Sequence, residues 1–155
     1  MKAESIKEFD DAVVLFFQPL ANRVGFQLTK LRDGIYEIVG RTFAMRIRQG
    51  TGHRKDFVVT LAPKASLSDD LDDLGQEIGL GVVAEYNGKQ LQESGDYQRD
   101  FYEAARIAEL LCVPYLLDTK EDFREIQHFV ERKVEESGIK TKKYQFPRNV
   151  REEWI

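Results

Sequence analysis

The run FQLTKLRDGIYEIVGRTFAMRIRQGTGHRKDFVVTLA, from Phe26 to Ala62, decides the fold. Turn signals at Asp33-Gly34, at Gly40 and at Gln49-Gly50-Thr51-Gly52 divide it into stretches rich in β-branched and aromatic residues. The Asp-Gly pair suits a two-residue hairpin, and Gly40 predicts a bulge or bend within a long second strand. The run therefore predicts an antiparallel β-meander.

Strict alternation in the third stretch predicts the two faces of this sheet. One face receives Phe43, Met45 and Ile47, and the other receives Ala44, Arg46 and Arg48. The first face is expected to be core and the second basic. Because an antiparallel sheet can leave one side in water, the basic face is better placed to stay open than the acidic segment, but the sequence does not decide whether it is exposed or covered.

A helix is predicted before the meander, from about Ser5 to Asn22, since apolar residues recur there at helical spacing. Pro19 removes the hydrogen bond to the Leu15 carbonyl and is expected to bend or end the helix in that turn. The belt from Val13 to Phe17 is apolar all the way round. It is expected either to be buried on two sides or to offer one face to a partner.

Four further elements are predicted after the meander. They are a short acidic helix over Ser66 to Gly79, a second hairpin around Asn87-Gly88 within Val82 to Gln92, and two helices over about Asp96 to Cys112 and Lys120 to Ser137. The predicted fold class is α+β: an antiparallel β-meander with an N-terminal helix and two C-terminal helices packed on one face.

The length of 155 residues favours a single domain, expected over residues 1–138, followed by a basic and aromatic tail over residues 139–155. The first residues carry acids where a secretory signal would be basic and then apolar, and no apolar run approaches a membrane span. The single cysteine, Cys112, lies in an apolar context and is expected to be buried and inert. A cytoplasmic location is the expectation.

The motifs of common active sites give little support to an enzyme. Gly79-Leu80-Gly81-Val82-Val83-Ala84 matches the dinucleotide fingerprint, but a helix is predicted before it and a strand after it, the reverse of what the motif requires. Two distant histidines and one cysteine indicate no metal site, and no nucleophile motif is present. Neither a cofactor nor a metal is expected, and an enzyme is disfavoured, although a carboxylate-based site assembled by the fold stays open.

Charge is distributed unevenly along the chain. Seven cations against three acids give +4 from Phe26 to Ala62, whereas three cations against nine acids give -6 from Pro63 to Asp100. The two segments either pair with each other in the fold or recognise a partner electrostatically. The candidate partner-binding residues are Arg46, Arg48, His53, Arg54, Lys55, Asp69, Asp70, Asp72, Asp73, Lys142, Lys143 and Tyr144.

Three functions are compatible with these features. The first is a protein-protein interaction module of adaptor or inhibitor type, and the apolar belt together with Trp154 adds a homodimer to its expected partners. The second is a nucleic-acid-binding accessory protein that uses the basic strand face and the tail, which a pI near 5.3 disfavours. The third is the enzyme with a carboxylate-based site. No membrane partner is expected.

Overall fold

A five-stranded antiparallel sheet lies at the centre of the structure, a computed structural model that describes residues 3–50, 57–72, 76–92 and 94–137. Its strands follow one another in sequence order. Within these ranges the strands are β1 Leu28–Arg32, β2 Ile35–Val39, β3 Phe43–Gln49, β4 Phe57–Pro63 and β5 Ile78–Gly79. The helices are α1 Ala3–Val24, α2 Leu80–Tyr86, α3 Tyr97–Leu111, α4 Val113–Leu116 and α5 Phe123–Ser137. The predicted α+β class and the meander are confirmed.

The hairpin between β1 and β2 turns at Asp33-Gly34, as predicted, with Gly34 at a φ of +85°. Gly40, in contrast, does not bend one long strand. It lies in the connection between β2 and β3, where its N–H donates to the Phe43 carbonyl at 2.8 Å. A Cβ built on Gly40 would lie 2.6 Å from the carbonyl oxygen and 2.7 Å from the Cα of Leu116. The chain therefore needs a glycine here because the backbone of α4 passes so close.

The long helices pack on one face of the sheet, as predicted. Phe9 of α1 contacts Tyr36 on β2 with ring centroids 6.0 Å apart, and Phe101 of α3 stacks on Phe57 of β4 at 3.8 Å. Phe123 of α5 meets Phe43 of β3 at 5.1 Å. Antiparallel register places these three strand residues on the same face, so this aromatic layer is the main core.

Helix α1 continues past Pro19 to Val24, so of the two predicted outcomes, a bend or an end in that turn, the end is contradicted. The proline removes one hydrogen bond, but buried residues on both sides of it, among them Phe17 and Leu20, hold the helix against the sheet. The helix ends instead at Gly25, whose φ is +80°. The N–H of Phe26 bonds back to the Ala21 carbonyl at 3.0 Å, which closes a Schellman-type end.

The acidic helix predicted over Ser66 to Gly79 is absent from the described residues of that segment. A 3-10 turn at Lys64–Ser66 leads into bends and turns, and β5 begins at Ile78. The Ser68 hydroxyl accepts from the N–H of Asp70 at 3.1 Å, and the Asp70 carboxylate accepts from the N–H of Asp72 at 2.9 Å. Such local side-chain bonds compete with helical ones, and here they replace them.

The second predicted hairpin is also wrong, because Leu80 to Tyr86 forms helix α2. Asn87-Gly88 ends this helix: Gly88 has a φ of +72°, and the N–H of Lys89 donates to the Ala84 carbonyl at 2.8 Å. A glycine with positive φ serves a helix end as well as a hairpin turn, so the dipeptide alone is ambiguous. The helix rather than the hairpin forms here, and it buries four apolar residues, namely Leu80, Val82, Val83 and Ala84.

The predicted C-terminal helices are confirmed with shorter bounds. Asp96 caps α3 by accepting the N–H of Arg99 at 3.0 Å, and Pro114 lies in the first turn of the short helix α4. None of the described helices is long and apolar enough to cross a membrane.

Cys112 is fully buried at the end of α3, as predicted, and burial raises the pKa of its thiol from 9.0 to about 12. Because the folded protein disfavours the thiolate, we expect iodoacetamide at pH 8 to alkylate Cys112 at least about 100-fold more slowly in folded than in urea-unfolded protein. Folding raises this pKa, so the associated stability is fully present below about pH 9 and is lost as the pH rises toward 12. Equal alkylation rates in the two states would contradict this burial.

Candidate protein interface

Arg46 and Arg48, the two strand cations proposed for partner binding, lie side by side on the second face of the sheet but are not open to water. Their exposed fractions are 6% and 1%. Of the two alternatives that the sequence leaves open, an exposed basic face is therefore contradicted at these two residues. The face is covered by residues 67–72 and 76–77, which follow β4 and which we call the covering segment. Arg48 Nη1 donates to the Leu71 carbonyl, and the side chain of Glu77 reaches both arginines.

Glu77 is the centre of this buried group. Its Oε2 lies 2.8 Å from Arg48 Nη2 and 3.5 Å from Arg46 Nη1, and its Oε1 accepts from the Thr60 hydroxyl at 2.5 Å. Arg46 Nε also donates to Glu37 Oε2 at 2.8 Å. We call these five residues the Glu77 cluster. Two guanidinium groups and two carboxylates make it neutral overall.

Electrostatics within the cluster explain why these charges tolerate burial. Burial lowers the pKa of Arg48, and the nearby Glu77 carboxylate opposes that shift. A guanidinium stays charged in proteins, so Arg48 depends on Glu77 for its counter-charge. The Nε of Arg48 is buried and makes no hydrogen bond to the described residues. Among the described residues, the other polar contacts of its guanidinium are with the Leu71 carbonyl and the Glu77 carboxylate, both in the covering segment.

The cluster therefore joins the basic and acidic segments inside the fold. Arg32 and Asp72 form a further pair of the same kind at the surface. At these residues the uneven charge is balanced within the chain, which supports internal pairing over an open basic surface.

The other predicted site residues are not brought to one surface by the described structure. Asp69 and Asp70 are exposed in the covering segment. The remaining candidates lie outside the described residues: His53, Arg54, Lys55, Asp73, Lys142, Lys143 and Tyr144.

The match of Gly79–Ala84 to the dinucleotide fingerprint was rejected because a helix was predicted before it and a strand after it, and the structure contradicts that order. Strand β5 precedes Leu80 and helix α2 follows Gly79, so the local order is strand then helix. The wider context still differs from the motif, because β5 pairs antiparallel with β4 and α2 is only seven residues long. In the described part of the chain no three His, Cys, Asp or Glu side chains cluster as a metal site would.

An exposed apolar surface lies instead on α1 and α3. Leu15 is 57% exposed and Tyr102 is 56% exposed. The half-buried Phe16, next to Leu15 in the sequence, meets the Tyr102 ring edge-on at 6.2 Å. Pro19 is exposed one helical turn beyond Leu15. We call Leu15, Phe16, Pro19 and Tyr102 the apolar ridge.

The two helices that carry the ridge run side by side in the same direction. Phe16 contacts Tyr102, and two turns farther along Arg23 binds Glu109 with N–O distances of 2.6 and 2.8 Å. Both contacts join residues that are 86 positions apart in the sequence. The ridge therefore follows the seam between parallel helices rather than a single turn.

Sequence reasoning identified half of this surface. The all-round apolar belt from Val13 to Phe17 predicted either double burial or an offered face, and the structure buries Val13 and Phe17 while exposing Leu15. Tyr102 was missed, although it directly follows the buried Phe101 and so cannot point to the same side of α3. No family model, no curated protein and no solved structure matches the chain, so the site is argued from its geometry.

Proposed function

We propose that this chain is a protein-interaction module of adaptor or inhibitor type, and that it binds its partner through the apolar ridge. The observation that carries the proposal is that two large apolar side chains, Leu15 and Tyr102, are each more than half exposed on adjacent helices. Tyrosine is enriched among the residues that contribute most to protein binding.

The ridge replaces the charged surface as the proposed contact. Burial of Arg46 and Arg48 removes the support that these side chains would have lent to a phosphate-binding or acid-binding face. The buried, single thiol of Cys112 supports a reducing compartment, so we propose that the module acts in the cytoplasm.

Photocrosslinking tests the proposal directly. Benzoylphenylalanine, which is close to tyrosine in shape, replaces Tyr102 in the full chain, and a cell lysate of the source is irradiated with the tagged protein. The matched control carries the same group at Leu110, which is 51% exposed on the same helix and lies about 12 Å farther along it. We expect protein adducts from position 102 that are at least about 10-fold more abundant than those from position 110.

Charge introduction gives an independent measurement of the same surface. Leu15→Glu places a carboxylate in the centre of the ridge and is expected to reduce the adducts from position 102 by at least about 10-fold, because burying an unpaired charge opposes association. Adduct yields that are equal at positions 102 and 110, or that Leu15→Glu leaves unchanged, would contradict the proposed contact.

A further inference from the structure

We infer that residues 67–72 form a strap that opens while the rest of the fold stays intact, and that its opening uncovers Arg48. The strap is the first part of the covering segment, and Glu77 belongs to the second part. It lies on the face of the sheet opposite the helices, so it goes beyond the proposed function and does not depend on the apolar ridge. The anchoring of the two parts and the side chains beneath the strap support this inference.

The strap has little apolar anchoring. None of residues 67–72 is buried, and among the described residues neither Leu67 nor Leu71 packs against the main hydrophobic core. The N–H groups of Asp70 and Asp72 bond to side chains of the strap itself and not to the sheet. Segments with few buried apolar contacts open locally at a lower free energy than that of global unfolding. The strap is therefore expected to open before the sheet does.

Polar contacts define the closed position of the strap. Arg48 Nη1 donates to the Leu71 carbonyl, and Arg32 pairs with Asp72. The side chains of Arg32 and Asp72 are 45% and 57% exposed, so water and salt screen their attraction. This ion pair therefore orients the strap but adds little to the stability of the closed form.

Glu77 is anchored independently of the strap. Its Oε1 accepts from the Thr60 hydroxyl at 2.5 Å, and the next residue, Ile78, is 3% exposed and pairs with Leu61 of β4. Glu77 can therefore keep its ion pair with Arg48 when the strap opens. The guanidinium then loses a neutral acceptor but keeps its counter-charge, which lowers the cost of opening.

The closed strap leaves one buried donor unsatisfied. Arg48 Nε makes no hydrogen bond to the described residues, and such a donor costs free energy until water reaches it. Arg48 lies between Ile35 of β2 and Val58 of β4, which are 4% and 7% exposed. The open form therefore presents one guanidinium between two aliphatic side chains, whereas the closed form buries all three.

Native-state thiol labelling of the full chain tests the opening. Val58→Cys places a thiol beneath the strap, and Val59→Cys places one on the helix-covered face of the same strand, where Val59 is 4% exposed. The buried Cys112 of the same molecules reports global unfolding. Without urea, we expect iodoacetamide to label position 58 at least about 100-fold faster than position 59, because position 58 needs only the strap to open. Low urea is expected to accelerate labelling at position 59 and at Cys112 but hardly at position 58, because opening the strap exposes little surface.

Charge reversal within the strap gives a second measurement. In the Val58→Cys protein, Asp72→Lys sets two cations against each other and is expected to accelerate labelling of position 58 by about 3- to 10-fold. Asp69→Lys makes the same charge change at an exposed neighbour and is expected to change the rate by less than about 2-fold. Equal rates with equal urea dependence at positions 58 and 59 would overturn the strap, and so would labelling of position 58 that Asp72→Lys does not accelerate.

Discussion

Replacing Glu77 by glutamine is expected to lower the free energy of unfolding by about 3 to 5 kcal/mol, the range for removing one partner of a buried ion pair. Glu77 is 1% exposed and is the carboxylate that faces both Arg46 and Arg48. Glutamine keeps its size but removes its charge, so Arg48 loses its counter-ion while remaining buried. Urea unfolding followed by circular dichroism measures the loss.

The matched control for this prediction is Glu109→Gln. Glu109 also pairs with an arginine, Arg23, but its side chain is 36% exposed and that of Arg23 is 57% exposed. Water and salt screen such a pair, and the expected loss is about 0 to 1 kcal/mol. Equal losses for Glu77→Gln and Glu109→Gln would show that the Glu77 cluster does not hold the covering segment to the sheet.

A double substitution separates charge from packing in the same cluster. Arg48→Met with Glu77→Leu removes both members of the closest pair and leaves Arg46 paired with Glu37 at 2.8 Å. The loss of stability is expected to be smaller than the sum of the two single losses, because no charge is then left buried without a partner. Additive losses would argue that the two side chains act independently.

Replacing Gly40 by alanine is expected to lower the free energy of unfolding by about 3 kcal/mol, at the upper end of the range for overpacking. The new Cβ would lie 2.6 to 2.8 Å from the carbonyl oxygen, Cα and Cβ of Leu116. Backbone atoms cannot rotate away, so either α4 or the connection between β2 and β3 must shift. That shift would strain the bond from the Arg41 N–H to the Leu116 carbonyl, which is now 3.0 Å long.

Gly81→Ala is the control for Gly40→Ala. Gly81 lies in α2, and no atom lies within 4 Å of a Cβ built there. Alanine is the better helix former and also restricts the unfolded chain, so this variant is expected to gain up to about 1 kcal/mol. Both substitutions add one methyl group. If urea unfolding gives changes of opposite sign in the free energy of unfolding, the loss in Gly40→Ala is assigned to the close approach of Leu116. A loss below about 1 kcal/mol in Gly40→Ala would contradict that close approach.

Local patterns predicted those parts of the fold that local physics controls. Alternation in β3, the Asp33-Gly34 turn and the helical stripes of α1, α3 and α5 were sufficient for the meander and its helical layer. Asn87-Gly88 was misassigned because a hairpin turn and a helix end use the same backbone conformation, and only the burial of α2 distinguishes them. Pro19 was given too much weight because tertiary packing holds α1 together beyond it.

The candidate site was harder to predict because it depends on contacts distant in sequence. Alternation correctly placed Arg46 and Arg48 on the face opposite the core, but it carries no information about Glu77, which reaches them from about 30 residues away. The apolar ridge likewise needs Tyr102 to lie beside Phe16. No periodic pattern in the sequence indicates that Glu77 contacts the two arginines or that Tyr102 contacts Phe16.

The pairing of α1 with α3 also constrains the order in which the protein assembles. Contacts between residues 86 positions apart mean that α1 has no α3 beside it until most of the sheet and α3 have been synthesised. The contact of α1 with the sheet can form earlier, because Phe9 and Tyr36 are only 27 residues apart, whereas Phe16 has no ring of α3 to pack against during that interval. Docking of α3 onto α1 and the meander is therefore expected to be a late step in folding, and the nascent chain is expected to need protection from aggregation until then.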